Sequence, residues 1–147
     1  MSNFDLERFV KAQSLMYPVA LSEMKNGCKT SHWIWYVFPQ LKGLGMSYNS
    51  QYYGLDGAAE AKAYLEHPVL GPRLIEITEA VLTHSDKRAK EIFGSSIDAK
   101  KFCSSMTLFR EIAPEEKVFD EALQVFYNGK PDGYTLSLLK GTPEGDG

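Results

Sequence analysis

Apolar residues return at helical spacing along nearly the whole chain, and a proline or glycine closes most of the runs. The first run carries Phe4, Leu6, Phe9, Val10, Leu15, Met16, Val19, Ala20 and Met24 close to a period of 3.6. This predicts a helix over 5–25, with Asp5 as N-cap and Gly27 just past its end. Pro18 removes one intrahelical bond, so a kink or two shorter helices are expected there. Asp56 stands as N-cap before "GAAEAKAYLEH", and Pro68 opens a further helix with Leu70, Leu74, Ile77 and Val81 on one face. Asp86 is placed to cap a short helix ending at Phe93-Gly94. A longer helix over 97–112 carries Phe102, Met106, Phe109 and Ala113 as its stripe and stops at Pro114. "PEEKVFDEALQVFYNG" stops at Gly129, and Asp132 caps a last short helix. Convincing strand partners are few, so the expected fold is mainly α, with about six to eight helices.

A chain of 147 residues most simply forms one core, and folding at this length buries roughly 70% of the surface the unfolded chain exposes. Residues 1–140 are expected as a single globular domain, with 141–147 as a disordered tail. An apolar fraction of 44% and a charged fraction of 24% suit an ordinary globular protein. The net charge is −3 and no basic block stands out, which argues against gripping long nucleic acid. A single phosphate needs only one or two donors and stays open. Cys28 and Cys103 lie far apart, outside any C-x-x-C spacing, as expected of reduced thiols in the cytoplasm. The beginning "MSNFDLERFVKAQ" has acids early and no apolar core of signal-peptide length, and no run approaches the ~20 apolar residues of a membrane span.

The segment "TSHWIWYVFPQ", from Thr30 to Gln40, crowds two tryptophans, a tyrosine, a phenylalanine and a histidine together. Thr30 or Ser31 caps a short helix from His32 to Val37 on one reading, and a strand is the rival. Exposed Trp and Tyr faces stack on planar ligands, and Lys29 is placed to meet a phosphate. Trp33 and Trp35 are two apart, so in a short helix they point to different faces, one to the core and one to a cleft. The following segment, 41–57, is rich in Gly, Ser and Tyr, and a loop of that length inside a compact domain is often functional. His32 beside it is the leading acid–base candidate, because its ordinary pKa lies near neutrality. His67, before a proline, reads as structural and His84 as solvated.

Ser104, Ser105 and Thr107 are mediocre helix formers in mid-helix. Close packing of a neighbouring helix explains Ser105. Ser104 beside Lys101 remains available for phosphate or sugar oxygens. Cys28 and His32 have a metal-compatible spacing, but no further cluster completes a zinc site, so no metal is expected. Lys42 to Gly45, K-G-L-G, lacks the third glycine of a dinucleotide fingerprint, and no cofactor is expected.

The segments "DLERFVKAQ", "SHWIWYVFPQLKGLG", "AKAYLEHPVLGPRL", "EIFGSSIDAKKFCSSMTLF" and "YNGKPDGYTLSLL" resemble, in order and over nearly the whole chain, the domain-of-unknown-function family numbered 1810. The resemblance implies a compact, mostly helical domain and no established activity. Some members carry the label calpastatin, although inhibitors of that kind are extended polar chains while this chain is patterned for a packed core. A fainter likeness is to the NADAR family, which acts on ADP-ribose-type N-glycosides. No signature motif of that family matches residue by residue, and none of its catalytic residues is carried over.

Two classes of function follow. In the first, a small phosphorylated, nucleotide-like molecule is bound or hydrolysed. Tyr52, Tyr53, Trp33 or Trp35 stack on its base, Lys29, Lys101 and Ser104 meet its phosphate, Gln40 rings the pocket, and His32 or Glu60 does acid–base work. In the second, the aromatic patch docks a protein partner. A concave pocket ringed by His32, Gln40 and Lys101 favours the first, a flat apolar patch the second.

Overall fold

The structure, a computed structural model, describes residues 4–140, and the expected tail over 141–147 lies outside them. Nine helices occur among the described residues: α1 (Glu7–Asn26), α2 (Ile34–Val37), α3 (Tyr48–Tyr52), α4 (Gly57–Glu66), α5 (Leu70–Leu82), α6 (Ala89–Phe93), α7 (Ser96–Ile112), α8 (Lys117–Tyr127) and α9 (Gly133–Lys140). The mainly helical expectation holds: the short helices expected to end at Val37 and Phe93 are α2 and α6, and the number is higher because α3 is a single turn inside the expected loop, too short for periodicity to reveal. None of the helices is long and apolar enough to cross a membrane.

The axis of the fold is α7. Phe102 through Phe109 are buried without a break, so its expected single stripe is corrected to burial all round. Helices α4, α6, α8 and α9 pack against it, and α5 joins α1, α4 and α8. A helix surrounded this way needs small side chains that can satisfy themselves. Ser104 and Thr107 return their hydroxyls to the carbonyls of Lys100 (3.1 Å) and Cys103 (2.8 Å), one turn back. Ser105 lies at a fully buried position, and its hydroxyl has no partner among the described residues.

The ends of the helices depart from expectation in instructive ways. Helix α1 begins after Leu6 without a side-chain cap, so Asp5 is not its N-cap. It runs as one helix through Pro18, because Pro18 and Ser14, whose carbonyl loses its donor, are both exposed to water. Asp56 is the N-cap of α4 as expected, but its side chain makes no capping bond, and its backbone N–H donates to Glu60 (2.7 Å). Asp86 does not cap α6, which starts after Arg88 and uses Glu91 to accept the Arg88 N–H (2.8 Å). His67 accepts from the backbone of Val69 and Leu70, the structural role expected of it. His84 is not solvated: its Nε2 stands 2.9 Å from the carbonyls of both Met24 and Lys25 and donates to the C-terminal end of α1. Its ring packs over Gly27, the left-handed residue (φ 76°) that ends that helix.

Candidate functional site

The aromatic segment is organised by one carboxylate that sequence reasoning passed over. Glu23, on the last turns of α1, accepts on Oε1 from the backbone of Thr30 (2.9 Å) and Ser31 (3.0 Å) and from the Trp33 indole (2.9 Å). On Oε2 it accepts from the hydroxyls of Thr30 (2.9 Å) and Ser31. Partial burial raises the Glu23 pKa, but these donors outweigh it, led by the Ser31 hydroxyl, and bring the carboxyl down to about 2. Thr30 and Ser31 therefore serve Glu23 and do not cap α2, whose N-cap is Trp33.

This anchoring decides the fate of the expected ligand residues. Trp33 is 0% exposed with its N–H engaged, so it is corrected from ligand contact to core. Lys29 is held by Asp98 (2.8 Å) and by the Trp33 ring (5.1 Å), and so its charge is already matched. Glu60 is buried and paired with Arg8 (2.9 Å) besides holding Asp56, which makes it a strut between α1 and α4. His32 is exposed, makes no side-chain hydrogen bond among the described residues, and is not in the lining of the cavity that holds Gln40, Lys101 and Ser104. Trp35, Gln40 and Tyr53 do meet, but around a crevice of only about 10 Å³, room for a single water at most. Tyr53 is packed among Phe9, Tyr36 and Tyr52. Tyr52 stacks in parallel on Tyr48 at 5.7 Å, both on the outer surface. Among the described residues the aromatic segment thus contributes to core and surface, around that small crevice.

One open cavity has Gln40, the last residue of that segment, in its lining. Its volume is about 360 Å³, and three elements meet there. The loop after α2 contributes Gln40, Gly43 and Leu44, and a short parallel bridge between Leu41 and Leu55 pins that loop. The first half of α7 contributes Ile97, Lys100, Lys101 and Ser104, and α9 with the residue before it contributes Asp132, Tyr134 and Leu138. Of the expected site residues, the structure brings together Gln40, Lys101 and Ser104.

The polar groups of this cavity are unevenly occupied. Asp132 uses Oδ2 to cap α9, as expected, accepting from Thr135 N (2.9 Å) and Oγ1 (2.6 Å), and its own N–H donates to Thr107. Neither Lys100 nor Lys101 has an ion-pair partner among the described residues, and Lys100 reaches over the Tyr134 ring at 5.7 Å. The buried Gln40 gives its carbonyl to Leu55, while its side-chain amide has no partner among the described residues. Lys100 and Tyr134 were missed in the sequence. Lys100 lies one turn before Ser104, which is the one signal that pointed toward it.

The profile of a family described as "Protein of unknown function (DUF1810)" matches residues 3–139. Among solved structures, the chain is similar to the conserved hypothetical protein Rv1873 from Mycobacterium tuberculosis, at 44% identity. That match covers 96% of this chain and 100% of the other, with a TM-score of 0.92. No curated protein matches the chain.

Proposed function

The chain belongs to the DUF1810 family of proteins of unknown function, and we propose that it binds a small anionic, nucleotide-like ligand in the cavity between α7, α9 and the loop at 40–44. The observation that carries this reading is a pair of lysines without ion-pair partners beside an amide without a hydrogen-bond partner, all among the described residues. Two ammonium groups on one turn suit a phosphate, and the Gln40 amide can both donate and accept, as base and ribose edges require. Tyr134, at 69% exposed, offers a ring face to a planar group. The volume falls at the lower end of that of small-molecule sites. With His32 and Glu60 outside the cavity, the reading is of binding and not of hydrolysis.

A thermal-shift titration with AMP, ADP and sugar phosphates tests it. A ligand at ~100 times its dissociation constant stabilises the fold by about 2.7 kcal/mol. The shift is expected to be lost in Lys101→Gln and kept in His32→Ala. No shift with any of these compounds overturns the reading. The second reading, docking of a protein partner, draws on one observation: Met46, Tyr48 and Tyr52 are exposed together on the outer face of α3 and the loop before it.

A further inference from the structure

A second cleft, of about 570 Å³, is bounded by the start of α6, the end of α8 and the connection into α9. It shares Lys100 and Asp132 with the first, so the two adjoin at those residues. Arg88, Lys90 and Lys130 line it, and Phe126 and Tyr127 present half-buried rings to it. Tyr127 is fixed from behind, since its phenol donates to the Ala99 carbonyl of α7.

The charge of this combined surface runs against that of the chain. Five cations line the two clefts, Arg88, Lys90, Lys100, Lys101 and Lys130, against one carboxylate, Asp132, in a protein of net charge −3. None of the five takes part in an ion pair among the described residues. Cations gathered without acids repel one another, and the arrangement is relieved when an anion lies among them. The apolar groups have an order as well. An aromatic surface stands in each cleft, Tyr134 in one and Phe126 with Tyr127 in the other, and Lys100 is common to both.

From that order, ring surface, shared cation, ring surface, we infer that the two clefts form one bipartite site for a diphosphate-bridged dinucleotide, with the bridge at Lys100. This rests on the nucleotide reading of the first cleft and extends it to the length and chemistry of the ligand. One nucleoside lies against Tyr134 and the other against Phe126 and Tyr127. Arg88, Lys90 and Lys130 reach toward the second half, and Lys101 toward the first.

The test is a calorimetric titration of AMP and of diadenosine diphosphate into the full chain, repeated with Lys130→Gln, Arg88→Gln and Lys101→Gln. All of these are surface positions except the half-buried Lys101, and circular dichroism checks that each variant is folded. Joining two moieties that occupy adjoining subsites raises affinity on the order of a hundredfold over one alone. The dinucleotide is therefore expected to bind about a hundredfold more tightly than AMP. That ratio should fall several-fold in Lys130→Gln and Arg88→Gln, whereas Lys101→Gln should weaken both ligands. AMP binding with no advantage for the dinucleotide overturns the bipartite site and leaves the nucleotide reading standing. A dinucleotide advantage that survives both second-cleft variants overturns the assignment of that cleft. If neither compound binds, both readings fall.

Discussion

Replacing Glu23 by Gln keeps the shape of the hub that holds the aromatic segment and removes its charge. In the folded protein five donors converge on the carboxylate: two backbone N–H groups, two hydroxyls and the Trp33 indole. Its pKa falls from the ordinary 4.5 to about 2, since those donors outweigh the upward pull of burial. Fully converted, such a displacement corresponds to about 3 kcal/mol at neutral pH. Glu23 is half-buried, and screening by water at its open side reduces this to about 1.5 kcal/mol. A folded pKa below the unfolded one means the stabilisation is present above about pH 4.5 and is lost as pH falls toward 2. Urea unfolding of wild type and Glu23→Gln, followed by tryptophan fluorescence, should therefore differ by about 1.5 kcal/mol at pH 7 and by about half that at pH 3.5. Glu23→Ala should cost about 3 kcal/mol at pH 7, because it also strands the buried indole N–H. A gap between wild type and Glu23→Gln that stays constant from pH 7 to pH 3.5 would refute the charge-based account.

Gly27→Ala meets two obstacles at once, a φ of 76° and the His84 ring 2.9 Å from the new methyl carbon. It should lower stability by about 2 kcal/mol, read as a drop in Tm. Ser105→Ala removes a buried hydroxyl that has no partner, and urea denaturation should find it neutral or more stable by up to about 1 kcal/mol. Burial, with Asp132 nearby, pushes the Cys103 thiol up to about 11, while Cys28 is exposed. At pH 8 a thiol reagent should therefore modify Cys28 within minutes and Cys103 only on unfolding; equal rates in the native protein would contradict this packing.

The helical fold was legible in the order of residues because helical period and its stop signals are local. Gly27 and Asp132 end or begin helices through bonds to residues three or four positions away. The carboxylates at 5 and 86 illustrate the limit: each is the right type for an N-cap, yet the N-cap of α1 falls one residue and that of α6 two residues farther on, while Asp56 does hold the N-cap position of α4 without a side-chain capping bond. The site was legible only in part. Gln40 and Lys101 carried polar groups with no local task, Ser104 stood out as a poor helix former in mid-helix, and the three do line one cavity, although the Ser104 hydroxyl is also bonded to the Lys100 carbonyl. Lys29, Trp33 and Glu60 looked equally available, but partners far along the chain engage them: Asp98 lies 69 residues after Lys29, and Arg8 lies 52 before Glu60. The sequence by itself thus determined which segments are helices and roughly where each turns. Only the tertiary structure decided which charged and aromatic side chains remain unmatched, because burial and pairing depend on residues that the fold, and not the chain order, brings within reach.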